Sequence, residues 1–468
     1  MRRPALLGAV AGAFASLDTA VNVAFPAIDE HFDLDVADLQ WIVITYLLTY
    51  GALLIAVGRV GDEVGHGRLV RAGAGVSMVA LTCCALAPTF GLFLASRVLQ
   101  GMGNALVLAG APALLTTSVE PTESTQGGSG RAGAVAVFQT ASMLGLAVGP
   151  AIGGPLVEGL GWQAVYWFRV PVAAALFVLG RDQASERGLT SGAIRLASLR
   201  ERLEGVEMLT GVAAVAGVVA TLSLGGRWGW TSAPLLAVGS AAVLAVALFV
   251  RRNRSSALPT VEPTWWRRPG FTRANALTVV ANGASFPTWL LVPTLLIDEN
   301  GVGTIAGGFM LACLPALSAL GSATASRAIS GLGIDNVVRA GLALAAVGMA
   351  VIAGPGASGA VALTVAGLAL TGLGIGMFSV PNMHQVMGAL PDERQGVAGG
   401  LSLMARTLGI VVTVAAASAV FDALEPDRGF ETAFRAVFVA AACSLIVAAL
   451  FAAPGRASER GAARFSRS

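Results

Sequence analysis

The chain has 468 residues, of which 55% are hydrophobic and only 12% are charged, and its formal net charge is +3. A soluble domain carries about a quarter charged residues, so this composition argues against a soluble protein and predicts a dozen or more membrane spans of roughly 20 residues each. The small net charge argues against a basic surface for nucleic acid. The chain contains no Lys and so cannot form a phosphate-binding P-loop, which makes ATP-driven transport by this chain alone an unexpected function.

The four cysteines predict neither a disulfide framework nor a metal site. Cys83, Cys84, Cys313 and Cys443 lie inside apolar runs without metal-ligand spacing. No cofactor and no metal ion is therefore expected. The N-terminal apolar run continues to Pro26 without a convincing cleavage site, which predicts a retained first span rather than a removed signal peptide.

Apolar runs separated by short polar or Gly/Pro segments predict fourteen transmembrane helices. The predicted spans are 4–28, 40–57, 69–87, 91–116, 132–157, 163–179, 206–224, 233–250, 271–297, 304–325, 337–354, 360–381, 397–421 and 432–452.

The arginine distribution supports this count. With the N-terminus inside, the predicted outer loops hold only Arg227, Arg428 and Arg435, while Arg97 and Arg169 lie within spans and every other Arg falls on the inner side. Cytoplasmic loops of membrane proteins carry such an excess of basic residues. The pattern predicts a multi-pass protein of a bacterial inner membrane with both termini in the cytoplasm.

An internal repeat predicts two related halves. The string at residues 70–73 recurs at residues 338–341, and Arg59 and Gly65 match Arg327 and Gly333 in the same register. Weak parallel repeats of six-helix halves are typical of one large class of transporters. The predicted organisation is a six-helix bundle at 1–180, a cytoplasmic linker at 181–205, two additional helices at 206–250, a second linker at 251–270, a six-helix bundle at 271–453 and a tail at 454–468.

Asp18 stands out because it is the one acidic residue far from any predicted loop. An Asp at the centre of a membrane helix costs about 2.5–3.5 kcal/mol on insertion scales, so such a residue normally faces a cavity and is functional. Proton coupling requires a carboxyl group within the membrane that can take up and release a proton. The alternative is a structural Asp that bonds Thr19 or Asn22.

Arg97, in the fourth span, is the predicted partner of Asp18. Both residues lie at similar depth, roughly 10–15 Å from the outer ends of their spans at 1.5 Å per residue. A proton that arrives at Asp18 would weaken their attraction and bias a conformational change. Alternatively, Arg97 extends outward to the membrane surface.

Two glycine-rich segments predict close packing and a tight turn. In the fifth span, Gly145, Gly149 and Gly153 recur every four residues beside Pro150 and Gly154, which clears one helix face for a neighbouring helix, although such stripes occur in many membrane bundles. The segment at residues 58–68 is predicted to form a cytoplasmic turn. Its candidate inner-gate residues are Gly58, Arg59, Asp62, Gly65 and Arg68.

Asp62 is the residue of that turn that is predicted to act as a latch. Its carboxylate can cap the third span or bond an Arg on an adjacent helix, and either contact would latch the inner side in one conformation. The alternative is a plain solvated turn.

Together, in this order and spacing, these strings resemble the major facilitator superfamily, and within it the fourteen-span drug:proton antiporter branch of the quaternary-ammonium and methylenomycin resistance type. The resemblance extends from Leu17 to about Ala423. The strings that carry it are residues 17–26 (first-span motif), 38–47 (second span), 58–68 (facilitator loop signature), 97–103 (proton-relay motif), 145–154 (antiporter motif of the exporters) and 396–409 (eleventh span of the twelve-helix core). The chain departs from the family pattern at Glu63, His66 and Gly67, where basic residues are usual, and at Arg169, where Asn is usual.

The resemblance implies an all-α integral membrane protein of the major facilitator fold, with two six-helix bundles around a central cavity and two linking helices. It implies a proton-coupled exporter of small, amphipathic molecules, with protons, a small-molecule substrate and the lipid bilayer as its partners, no nucleic acid, and a monomer as the functional unit. Candidate cavity residues, chosen as polar or aromatic groups near mid-membrane depth, are Asn22, Tyr46, Tyr50, Gln139, Arg169, Asn282, Phe286 and Trp289.

Three other functions stay open at this point. One is an importer or uniporter of a metabolite, against which the antiporter-type fifth span argues. Another is a membrane enzyme or receptor, which needs a soluble domain or facing catalytic carboxylates, and the longest stretch between spans, 180–205, is a short Arg/Glu linker with neither. The third is a sensor that does not transport.

Overall fold

The computed structural model describes residues 3–35, 38–117, 129–185, 205–255, 264–356, 360–390 and 395–452. Within these ranges the chain is helical and contains no β-strand, which confirms the all-α prediction. The helices are α1 (Arg3–Ser16, Leu17–Thr19, Ala20–Val23 and Phe25–Phe32), α2 (Leu39–Val64), α3 (His66–Ala85), α4 (Phe90–Thr117), α5 (Ser129–Leu160), α6 (Ala164–Trp167 and Arg169–Ser185), α7 (Gly205–Trp228), α8 (Ala233–Ser255), α9 (Pro269–Ser285, Pro287–Thr294 and Leu295–Glu299), α10 (Thr304–Leu332), α11 (Ile334–Val351 and Ile352–Gly356), α12 (Val361–Gly388), and α13 and α14 (Gln395–Phe451, divided at Gly429).

Each predicted apolar stretch coincides with one of these helices. Among the described residues, ten helices are long and apolar enough to cross a membrane, and shorter apolar helices cover Leu39–Gly51 and Ala164–Gly180. One of the ten, Leu401–Phe451, contains the non-helical Gly429 and therefore comprises two helices, α13 and α14. The chain thus has a membrane-type helical fold, and the count of fourteen crossings stays a prediction.

The helix pairings of the first six helices recur in the last six. In the first half α3 packs on α4, α2 on α4, α1 on α5 and α3 on α6. In the second half α11 packs on α12, α10 on α12, α9 on the α13–α14 segment and α11 on that same segment. Helices α7 and α8 pack mainly on each other. This arrangement agrees with the internal sequence repeat.

The predicted turn at residues 58–68 is shorter than expected. Helix α2 continues to Val64 and α3 begins at His66, so the break between them is Gly65, whose φ of 99° suits glycine. Residues 58–64 are helical. Hydropathy marks where side chains leave the apolar layer, whereas a helix continues until its backbone hydrogen bonding is interrupted.

Helices α1 and α9 are interrupted along their length. Helix α1 changes to a 3-10 turn at Leu17–Thr19, which contains Asp18. A 3-10 stretch within an α-helix often marks a functional position. Helix α9 breaks before Pro287, because proline removes a backbone donor and clashes with the preceding turn. Helix α5 contains Pro150 and Pro155 and continues through both.

Reporter fusions test the predicted topology. Fusions after Arg202 and after Arg456 are expected to read cytoplasmic, because an even number of spans returns the chain to its starting side. A fusion within residues 225–230, at the end of α7, is expected to read outside. A cytoplasmic signal from that fusion would show that α7 and α8 do not cross the membrane.

Candidate functional site: a buried carboxylate between two arginines

Asp18 lies at the centre of a buried polar cluster formed by α1, α4 and α6. Arg97 on α4 binds its carboxylate with both terminal nitrogens, Nη1 to Oδ1 at 2.9 Å and Nη2 to Oδ2 at 3.2 Å. Gln100, one helical turn after Arg97, donates from Nε2 to Oδ1 at 2.8 Å. The predicted contact between Asp18 and Arg97 is therefore present, and the proposed alternative of an outward-extending Arg97 does not fit it.

The rest of the Arg97 guanidinium is also held in place. Its Nε donates to the carbonyl oxygen of Ile42 on α2 at 3.0 Å, and its Nη1 also donates to Gln100 Oε1 at 2.7 Å. The guanidinium lies 4.5 Å from the ring centroid of Tyr46, a geometry that favours a cation–π interaction. Arg97 is only 2% exposed, so this cation is fixed within the first half of the molecule.

Arg169 adds a second cation to the same carboxylate. It begins the second segment of α6, and its Nη1 donates to Asp18 Oδ1 at 2.6 Å. Its guanidinium also lies 5.5 Å from the ring centroid of Phe14 on α1. Arg169 is 1% exposed, and the Asp18 side chain is 14% exposed. The sequence predicted Arg169 as a cavity residue near mid-membrane depth but did not predict that both arginines share one carboxylate.

The glycine stripe of α5 packs directly against α1 beside Asp18. A β-carbon at Gly145 would lie 2.7 Å from the Ala13 carbonyl oxygen, and one at Gly153 would lie 2.9 Å from the Ala20 carbonyl oxygen. At Gly149 it would overlap the hydroxyl of Thr19, which donates to the Leu146 carbonyl oxygen at 3.2 Å. The stripe therefore determines how closely α5 approaches the segment of α1 that carries Asp18.

The neighbouring residues of α5 face the second half. A β-carbon at Gly154 would lie 2.7 Å from the carbonyl oxygen of Thr304 on α10, and one at Gly308 would lie 2.5 Å from that of Pro150. Glu158 accepts a hydrogen bond from the backbone N–H of Ile305 at 3.1 Å. The antiporter-motif segment thus contacts α1 with one face and α10 with another.

Three predicted cavity residues lie close to this cluster. Tyr46 and Tyr50 on α2 are buried, with ring centroids 5.4 Å apart, and Asn22 on α1 is 8% exposed. Asn104 donates to the Tyr46 hydroxyl at 2.5 Å, and Thr407 donates to the Tyr50 hydroxyl across the two halves at 3.4 Å. Sequence reasoning missed Asn104 and gave no function to Gln100, although both follow Arg97 at helical spacing.

The remaining predicted cavity residues do not join the cluster. Asn282 on α9 donates to Thr278 of its own helix at 2.9 Å. Phe286 and Trp289 are partly buried and pack against the hydrophobic core. The side chain of Gln139 lies outside the described part of the structure.

The predicted inner gate is described only in part. Arg68 Nη1 donates to the Val64 carbonyl oxygen at 3.4 Å, and Gly65 forms the break between α2 and α3. The side chains of Arg59 and Asp62 lie outside the described residues, and Gly58 is part of the α2 backbone. The structure therefore leaves the latch a prediction, with Gly65 rather than Asp62 at the position that precedes α3.

An acidic cavity of about 510 Å³ lies at the predicted outer side, between the two halves. Asp29, Glu30 and Asp33 from the first half and Asp298 from the second half line it. Burial, followed by the negative charge of Asp298 and nearby acids, raises the pKa of Asp29 to about 6. This cavity, which we call the outer mouth, is therefore negatively charged, whereas the pair of Arg97 and Arg169 is positively charged.

Comparisons with known proteins agree with this architecture. Residues 6–201 match the Major Facilitator Superfamily, and residues 309–459 match a family described as PUCC protein. The "Drug efflux pump JefA" of Mycobacterium tuberculosis is 29% identical over 84% of this chain and 75% of that protein. The "Tetracenomycin C resistance and export protein" of Streptomyces glaucescens is 28% identical over 92% and 78%, and the "Methylenomycin A resistance protein" of Streptomyces coelicolor is 28% identical over 91% and 87%.

Solved structures show the same fold. A crystal structure of a POT family transporter, in complex with a thioalcohol-conjugated peptide, superposes with a TM-score of 0.67 at 14% sequence identity, covering 96% of this chain and 95% of that one. At this identity the likeness concerns the fold alone. The membrane-type helices, the repeated halves and the sequence matches agree: the chain has a fold of the major facilitator type and is a transporter rather than an enzyme.

Proposed function

We propose that this transporter is a proton-coupled exporter of small, amphipathic organic molecules that works by alternating access. The observation that carries the proposal is the Asp18 carboxylate, which α4 and α6 hold through Arg97 and Arg169 within the first half. Ionisable groups at this depth in membrane proteins mark ion and proton pathways. We also propose a monomeric unit in a bacterial inner membrane, with both termini in the cytoplasm and the division into two six-helix bundles given above.

Protonation of Asp18 would change the forces between three helices. The ionised carboxylate attracts both guanidiniums and ties α1 to α4 and α6. A proton on Asp18 removes that attraction and leaves two arginines that repel each other. A ligand shifts a conformational equilibrium by the difference in its affinity for the two states. A proton that binds better when the cluster is open would thus favour one access state.

The contacts between the halves support alternating access. Helix α5 meets α10 through Gly154 and Gly308, and the Glu158 carboxylate bonds the start of α10 at the predicted outer side. These contacts close part of the outer side in this conformation and must separate for outward release. The names of the relatives, which include drug efflux and antibiotic export and resistance, support export as the direction of transport.

Transport in proteoliposomes tests the proposal. Vesicles that contain the wild-type protein are expected to move substrate from the side that corresponds to the cytoplasm toward the more acidic side when a pH gradient is imposed. A protonophore should abolish this accumulation, because it removes the gradient without touching the protein. A panel of antibiotics and lipophilic ions supplies the substrate. Equal accumulation with and without the gradient, for a substrate that the protein demonstrably moves, would contradict proton coupling.

A further inference from the structure

The buried cluster carries an unbalanced positive charge. With its members ionised, Asp18 contributes one negative charge, and Arg97 and Arg169 contribute two positive charges. Gln100 is neutral. A cation in a low-dielectric interior is costly unless an anion pairs with it. The single Asp18 carboxylate cannot neutralise both guanidiniums, so one positive charge remains.

The two arginines differ in how completely their donors are used. Nε and both terminal nitrogens of Arg97 have acceptors in Ile42, Gln100 and Asp18. Arg169 donates from Nη1 to Asp18, but its Nε is buried and has no acceptor among the described residues. An unpartnered charged donor in a buried position costs free energy that an incoming acceptor recovers. A second anion would therefore gain the most binding free energy at Arg169.

We infer that the substrates of this transporter carry an anionic group, a carboxylate or an acidic phenol, that Arg169 binds. This inference rests on the proposed export function but does not depend on proton coupling. A guanidinium forms charge-assisted hydrogen bonds with such oxygens and can bind them in pairs. One bound anion brings the cluster to neutrality while Asp18 stays paired with Arg97. A lipophilic cation would instead meet a site that already has a positive charge.

The acidic outer cavity differs in charge from the Arg169 site. Asp29, Glu30, Asp33 and Asp298 surround the predicted exit. A potential of one sign along a cleft repels ions of the same sign and concentrates those of the opposite sign. The same potential opposes an anion in both directions through the mouth and concentrates cations there. The preference for an anion therefore rests on the Arg169 site itself and not on this cavity.

Binding of three probes of nearly equal shape tests the inference. Naphthalene-2-carboxylate, its amide and its amidinium differ mainly in charge, and their affinities can be measured with the purified full-length protein in lipid nanodiscs at neutral pH. The wild-type protein is expected to bind the carboxylate at least about tenfold more tightly than the amide, the size of one charge-assisted hydrogen bond, and the amidinium most weakly. Arg169→Gln should remove this ranking, and Arg169→Lys should keep its order with lower affinity.

Control variants distinguish specificity from folding. Arg339→Gln removes the same charge from a half-buried position on α11, where Arg339 bonds Asn336 of its own helix, and should leave the ranking unchanged. Thermal unfolding of each variant shows whether it folds. If Arg169→Gln does not fold, the affinity rankings of the wild-type protein and of Arg169→Lys test the inference. A preference for the amidinium, equal affinities for the three probes, or no measurable binding of the carboxylate would overturn the inference. Because these measurements use no gradient, their outcome is independent of the test of proton coupling.

Discussion

The Asp18→Asn variant is expected to lose all accumulation of substrate that is driven by a pH gradient, down to the level of protein-free liposomes. Asparagine has nearly the same size and keeps an acceptor for Arg97 and Arg169, but it cannot take up or release a proton. It also removes the negative charge that both guanidiniums share at 2.9 and 2.6 Å. Exchange of substrate across the membrane without a gradient is expected to persist, because it needs no net proton movement.

Two further variants help to interpret the loss of gradient-driven accumulation in Asp18→Asn. Arg97→Lys keeps the charge but loses the planar fork that binds both carboxylate oxygens, so export should weaken and its pH dependence should change. Glu431→Gln removes a carboxylate from the exposed pair with Arg435, and such pairs contribute only about 0–1 kcal/mol. That control should transport normally. If Asp18→Asn concentrates substrate at the wild-type rate, Asp18 is structural and the coupling site lies elsewhere.

The Gly149→Leu variant is expected to abolish export while the protein still inserts into the membrane. Even a β-carbon at this position overlaps the Thr19 hydroxyl, and the backbone nitrogen of Ala20 lies 3.1 Å away. A leucine must therefore push α5 away from the segment of α1 that carries Asp18. Overpacking of this kind typically costs about 1–3 kcal/mol, which permits insertion but displaces the segment of α1 that carries Asp18, and we therefore expect export to be lost.

Gly159 offers a matched control on the same helix. A β-carbon at Gly159 meets no atom within 4 Å, so Gly159→Leu should insert and export normally. Membrane fractionation and fluorescence-detected size exclusion measure insertion, and drug accumulation in a strain without its own pumps measures export. Normal export by correctly inserted Gly149→Leu protein would show that this contact between α5 and α1 does not matter for transport.

The sequence by itself determined which side chains are unusual in a membrane. The positions of Asp18 and Arg97 follow from hydropathy alone, since a charge inside an apolar run is costly wherever the run folds. The four-residue spacing of Gly145, Gly149 and Gly153 likewise predicts one cleared helix face. The apolar runs and the repeat indicated a helical membrane protein with two related halves.

Only the tertiary structure decided which of these groups meet and which neighbouring helix each helix face contacts. It showed that Arg169 and Gln100 bind the same carboxylate as Arg97. It also showed that one face of α5 packs on α1 and another on α10. It also extended α2 to Val64, beyond the predicted span. Hydropathy gives the depth of a residue but not the rotation of its helix about the axis or the distance to the next helix. Those quantities depend on side-chain packing between helices far apart in the sequence, such as α1 and α6.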